Sequence, residues 1–221
     1  MMKIFCFILF ACTINILADT PLNEIPMYGG IDNLSAYYQE INNKFVESVL
    51  KKTSREEGSM YFVKKGWEAL SKKDYKFSMK KFNQAWLLND KNPDVYWGFA
   101  NLLGLDGKFS KAIRMFKMYI EFGGNDIYAL SDMAYTYTLS GLVSKAYGNL
   151  ENMKENLNQA ILIIKKALEI NRKEGQLYYR WAVCLFHLGR SEEALVKINL
   201  AIKYGEEVPE EFIDILKEKK D

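Results

Sequence analysis

The stretch "LLGLDGKFSKAIRMFKMYI", residues 102–120, decides the fold. Gly107 is followed five residues later by Ala112, then by Phe116 and Tyr119 at steps of four and three. The segment "CLFHLGRSEEALVKINLAI", residues 184–202, repeats that spacing in Gly189, Ala194, Ile198 and Ala201. Steps of three and four place such residues on one helical face, and the glycine marks the end of a preceding helix.

The same spacing extends in both directions. Gly66, Ala100 and Ala134 stand 34 residues apart, as do Phe82 and Phe116, Gly107 and Gly141, and Ala160 and Ala194. Ala182 follows Ala134 after 48 residues, and Gly189 follows Gly141 after the same step. A fixed period of this length is the signature of stacked helical hairpins.

These residues resemble the tetratricopeptide-repeat (TPR) pattern. That pattern places a small residue midway along helix A, a glycine at the turn, and a small–large–small trio on helix B. Small residues let helix A approach helix B, and the large one fills the gap between hairpins. Here Ser78 and Tyr119 stand where small residues are expected, and Ile164 and Ile198 replace the aromatic. The resemblance covers about two-thirds of the chain and implies an all-α, right-handed α-solenoid of four hairpins: 59–92, 93–126, 127–174 and 175–208. The segments "PMYGG" (26–30), "SREEGSMYFVKKGW" (54–67), "KKFNQAWLLN" (80–89) and "NPDVYWGF" (92–99) are also similar to small exported bacterial repeat proteins, which carry no activity to transfer.

The third repeat holds an extra 14 residues, 147–160, because Ala146 keeps the register set by Ala112 and Ala160 resumes it. Leu150, Met153, Leu157 and Ile161 recur within it at helical spacing. The spacing predicts one helix lengthened by four turns and projecting beyond its neighbours; a kink or loop at Gly148-Asn149 is the alternative.

Around the array, residues 34–57 read as an N-terminal helix with an apolar side of Leu34, Tyr37, Tyr38, Ile41, Phe45, Val49 and Leu50. Residues 209–221 read as a C-terminal cap helix, with Pro209 at its start and Lys217, Lys219 and Lys220 near its end. Residues 19–33, with two prolines and the Gly29-Gly30 pair, read as a tether or an extended arm laid on the repeats.

Residues 1–18 read as an export signal. Lys3 precedes the apolar run Ile4 to Phe10, and the small Ala18 precedes Asp19-Thr20-Pro21. The expectation is cleavage after Ala18. One alternative is a lipoprotein, since Leu9-Phe10-Ala11-Cys12 resembles a bacterial lipobox with Cys12 as the acylated residue; the other is an uncleaved anchor. Localisation is therefore expected in the periplasm or cell envelope. Cleavage would leave Cys184 as the one cysteine, so no internal disulfide is expected, and its apolar surroundings argue for a buried core thiol.

Lys and Arg number 30 against 28 Asp and Glu, which gives no argument for nucleic acid. Basic residues do gather on the second helices of the first two repeats: Lys72, Lys73, Lys76, Lys80 and Lys81, then Lys108, Lys111, Arg114 and Lys117. They read as a solvated outer face, or as a contact for an anionic envelope surface or phosphate-bearing partner.

The resemblance also implies a concave groove lined by helix A. Inward positions six and three before the small residue, and one and four after it, share a helical face. They give Met60, Val63, Trp67 and Leu70; Asp94, Trp97, Asn101 and Gly104; Tyr128, Ser131, Tyr135 and Thr138; then Gln176, Tyr179, Val183 and Phe186. Trp67, Trp97, Asn101, Tyr128, Tyr135, Tyr179 and Phe186 are the candidate partner-binding residues, on a face almost free of charge. Trp and Tyr dominate interface hot spots, so the groove suits an extended peptide or a partner helix. The carboxylate-clamping subfamily is a poor match: its positions fall on Trp97, Asn101, Asp132, Gln176 and Arg180, where Asp132 would repel a carboxylate.

No catalytic or metal motif is present and no cofactor is implied. His187 is the only histidine, and the chain has no HExxH, GxSxG, CxxC or phosphate loop. The expected function is a non-catalytic interaction scaffold binding an unidentified protein, with an envelope receptor for a small molecule, glycan or cell-wall fragment as the alternative.

Overall fold

A computed structural model describes residues 21–30 and 34–218. The proposed cleavage site after Ala18 and the acylation candidate Cys12 lie outside the described residues.

Ten α-helices are described: α1 (Ala36–Leu50), α2 (Arg55–Ser71), α3 (Tyr75–Leu88), α4 (Pro93–Leu105), α5 (Phe109–Glu121), α6 (Ile127–Ala146), α7 (Leu150–Ile170), α8 (Gly175–His187), α9 (Ser191–Lys203) and α10 (Glu210–Glu218). Side-chain caps start five of them, α2, α3, α4, α6 and α7. Ser54 and Glu57 form a reciprocal capping box on α2, and Asp74 caps α3. Asn92 caps α4 ahead of Pro93, and Asp126 accepts from both Tyr128 N and Ala129 N on α6.

Helices α2–α9 pair as four antiparallel hairpins stacked into an all-α solenoid, as the period requires. One continuous core runs from Val63 in α2 to Leu216 in α10, and a second cluster of Leu130, Ala134, Ile164, Ala167, Leu168 and Leu177 joins α6, α7 and α8. The fully buried Phe82 is wedged between hairpins. A Cβ on Gly66 would lie 2.7 Å from its ring, and one on Gly98 would lie 2.3 Å away. Two of the four departures from the pattern, Ser78 and Tyr119, are accommodated by hydrogen bonds. Ser78 Oγ donates to Gly66 O at 2.9 Å, and the Tyr119 hydroxyl accepts from Asp126 N at 2.6 Å.

The third hairpin corrects the expectation of one helix lengthened by four turns. Both arms are longer: α6 has 20 residues and α7 has 21, against 13 in each of α4, α5, α8 and α9. The turn falls at Tyr147–Asn149, where Gly148 takes φ +76°, matching Gly107 at +69° and Gly189 at +78°. Gly148 lies 14 residues after Ala134 and 12 before Ala160; Gly107 and Gly189 lie seven after and five before their counterparts. Each arm has therefore gained seven residues. Seven residues are nearly two turns, so the buried face is kept to within about 20°. Gly141, which holds the register of a turn glycine, sits mid-helix instead. A Cβ there would meet Leu157 Cγ at 3.2 Å and Met153 O at 3.3 Å, so its missing side chain admits α7.

The N-terminal arm lies on the repeats, though not extended. Residues 21–30 form two 3-10 turns, Leu22–Glu24 and Pro26–Gly29, against α3. Asn83 Nδ2 donates to Asn23 O at 3.2 Å and to Ile25 O at 2.9 Å, and Lys76 pairs with Glu24 at 3.1 Å. Met27 and Tyr28 take left-handed φ of 55° and 54°, a strained conformation for non-glycine residues, and both pack on the core. Burial pushes the Tyr28 hydroxyl up from 10.0 to about 12.

Helix α1 contributes no buried residue. It touches the first hairpin through the Phe45–Phe62 ring contact at 5.3 Å and leaves Tyr37, Tyr38 and Ile41 exposed. At the other end α10 buries Leu216 and sets Phe212 against Tyr179 and Phe186, at 6.0 and 5.4 Å.

Candidate functional site

The candidate residues fall on the adjoining faces of α2, α4, α6 and α8. The rings of Trp67 and Trp97 meet edge-on at 4.8 Å, both half-buried. Trp97 Nε1 donates to Asp132 Oδ2 at 2.9 Å, and Asn101 Nδ2 donates to the same oxygen at 3.2 Å. Indole, amide and carboxylate are thus fixed together across α4 and α6. Tyr128 and Tyr135, on α6, are exposed.

Tyr135 leads to α8, where the Arg180 guanidinium stacks over its ring at 4.5 Å. Burial pulls the Arg180 pKa down while the nearby Asp132 charge acts the other way. Arg180 Nε is buried without a hydrogen-bond partner. Tyr135, Leu139, Tyr179 and Arg180 are among the residues lining a cavity of about 520 Å³, with Glu206 also on its wall. Asp94 is half-buried nearer the other end, and burial followed by the Asp126 charge raises its carboxyl above the usual range.

Spacing alone therefore misses part of this surface. Asp132 and Arg180 each lie one residue after an inward position of their helix, yet both reach the groove, so the face is less neutral than its inward row indicates. The carboxylate-clamp positions named both, so that alignment carried the signal that the inward row lacked. Not every candidate is equally open. Tyr179 and Phe186 are half-buried, with Phe212 of the cap helix against both rings.

Two residues singled out in the sequence, Cys184 and His187, lie outside the groove. Cys184 is buried on α8, with its sulfur 3.3 Å from Thr138 Oγ1, and burial pushes the thiol from 9.0 to about 11. His187 closes α8, in the last turn, where a cationic side chain is favoured. Among the described residues no group of three His, Cys, Asp or Glu is placed to hold a metal, and no helix is long and apolar enough to cross a membrane.

Capped helical hairpins, interlocking small and aromatic residues, and A helices aligned along one face define a TPR solenoid. Solved structures agree on the fold. TTC0263, a thermophilic TPR protein of Thermus thermophilus, aligns with a TM-score of 0.57 at 16% identity, covering 66% of this chain and 74% of that one. YrrB, described as a TPR protein with an unusual peptide-binding site, gives 0.55 at 16% identity over 73% and 74% of the two chains. A double mutant of MamA gives 0.53 at 11% identity over 67% and 75%. At these identities the likeness is one of fold. No family model matches the chain, and no curated protein matches it in sequence.

Proposed function

We propose that this protein is a non-catalytic interaction scaffold of the bacterial periplasm or cell envelope, and that its concave face binds a peptide or helix of a partner protein. The observation that carries the reading is the fixed row across the A helices: Trp67 on Trp97, Trp97 on Asp132, and Tyr135 under Arg180. Half-exposed indoles and phenols with immobilised polar groups are the composition of an interface hot spot, where little side-chain entropy remains to be lost on binding. The peptide-binding site ascribed to YrrB, a protein of the same fold, supports a peptide ligand. The envelope location rests on the apolar run and small residue ahead of Asp19.

A second reading has its own support. The cavity of about 520 Å³ beside Arg180 is within the size range of small-molecule sites, which favours a glycan or cell-wall fragment as ligand. Two measurements on the purified full chain separate the readings. Recovery of one defined protein by chemical crosslinking, lost in the Trp97→Ala/Tyr135→Ala double variant while helical circular dichroism persists, supports the scaffold. Thermal stabilisation by muropeptides with no protein crosslinked supports the receptor and refutes the scaffold.

A further inference from the structure

The N-terminal arm is fastened to a basic surface formed by α3 and α5. Asn83 and Lys76 hold residues 23–25 on α3, so the chain enters the described structure at a fixed point, Pro21. Pro21 shares one cavity wall with Lys80. On the other side of the arm, Lys108, Lys111 and Arg114 line a cavity of about 480 Å³ together with Glu24, Gly29 and Gly30. Five cations therefore surround ten residues of arm: Lys76, Lys80, Lys108, Lys111 and Arg114.

Their carboxylate partners are few. Lys76 pairs with Glu24 and Lys108 with Asp106, whereas Lys80, Lys111 and Arg114 form no ion pair among the described residues. Among the described residues that line the arm, five cations face two carboxylates, Glu24 and Asp106, an excess of three positive charges.

We propose that this face, α3 and α5 around the arm, docks on an anionic phospholipid bilayer. Two features select a bilayer over a soluble anion. The exposed cations are spread along the solvent-facing sides of α3 and α5 on both sides of the arm, which suits a charged plane better than one bound phosphate. Acylation at Cys12, the lipoprotein reading of the leader, would place a lipid only nine residues before Pro21, so such an anchor would join the molecule at its basic face. Juxtaposed apolar and polybasic signals act together at membranes, where a single weak anchor does not hold. The docked solenoid would turn its α3–α5 side to lipid and leave the aromatic groove of the A helices free. This inference is independent of what the groove binds.

The test is partitioning of the full chain onto vesicles of phosphatidylcholine alone and of phosphatidylcholine mixed with phosphatidylglycerol. Any apolar or lipid contribution of the N-terminus is common to both, so the difference between vesicles reports the basic face. Each cation near an anionic surface contributes about 1 kcal/mol, or about five-fold in affinity. Lys80→Gln/Lys111→Gln/Arg114→Gln should therefore lower partitioning onto the mixed vesicles roughly a hundred-fold, with no change on phosphatidylcholine. Raising salt should abolish the preference of the wild-type chain, a measurement that does not depend on any variant folding. Equal partitioning of wild type onto both vesicles would overturn the proposal. So would a preference that the triple variant retains, or equally tight salt-dependent binding to a soluble polyphosphate that blocks no vesicle binding.

Discussion

Trp97 donates its indole N–H to Asp132 Oδ2 at 2.9 Å, joining the inner faces of α4 and α6 through a carboxylate. A hydrogen bond to a charged acceptor is stronger than a neutral one, and this one is partly screened from water. Trp97→Phe keeps an aromatic ring but removes the donor, and should destabilise by about 1 kcal/mol. A double-mutant cycle with Asp132→Ala, read from urea unfolding, should give a coupling of similar size. Strict additivity would show that the two side chains are adjacent without stabilising each other.

Glycines within these helices divide by what surrounds them. Glycine to alanine inside a helix ordinarily stabilises by about 1 kcal/mol. Gly104 has room, with only Thr136 Oγ1 at 3.9 Å from an added Cβ, so Gly104→Ala should stabilise. Gly98 does not, since Phe82 would be 2.3 Å away, and Gly98→Ala should destabilise by about 1–3 kcal/mol through overpacking. Thermal melts of the two variants should shift in opposite directions; a common direction would show that Phe82 relaxes freely.

The period was readable because small residues must recur wherever two helices approach closely, and Gly66, Ala100, Ala134 and Ala182 stand at such points. The shape of the irregular repeat was not readable from the same residues. Gly141 has the spacing of a turn glycine and Gly148, which makes the turn, does not, while Ala146 and Ala160 both have the spacing of a helix B alanine. Only the pairing of α6 with α7 decides between them, through Gly141 against Leu157. The groove divides in the same way. Local spacing placed Trp67, Trp97 and Tyr135 on one face. The position of Phe212 on Tyr179 and Phe186 depends on how α10 turns back, which no local spacing encodes.

Two matched insertions of seven residues predict an unusual deletion result. Removing 141–147 together with 149–155 restores a 34-residue repeat with Gly148 at the turn, and the array should still unfold in one cooperative transition. Removing 149–155 alone leaves α6 extended, with the apolar residues that faced the deleted part of α7 uncovered. That variant should be the less stable of the two by urea denaturation. The reverse ranking would contradict the paired-heptad account.

Cys184 and Tyr28 make stability fall at high pH. Burial raises the Cys184 thiol from 9.0 to about 11 and the Tyr28 hydroxyl from 10.0 to about 12. Well below pH 9.0 both groups keep their protons in folded and unfolded chains alike, so neither weakens the fold. As pH rises further, the unfolded chain ionises first and gains the advantage, so stability declines until the folded-state values are passed. In a chain with Cys6 and Cys12 replaced by serine, Cys184 should also resist a thiol reagent near neutral pH and react fully in denaturant. Rapid labelling of the folded protein would place the thiol at the surface.

The central claim is that a partner binds across the aromatic face of the A helices. A photo-crosslinking amino acid in place of Tyr135, compared with the same group in place of exposed Lys166 on α7, tests it most directly. The account predicts one defined protein adduct from position 135, none from position 166, and loss of the adduct when Trp97→Ala is added. Equal adducts from both positions, or an adduct at 135 that Trp97→Ala leaves undiminished, would contradict it.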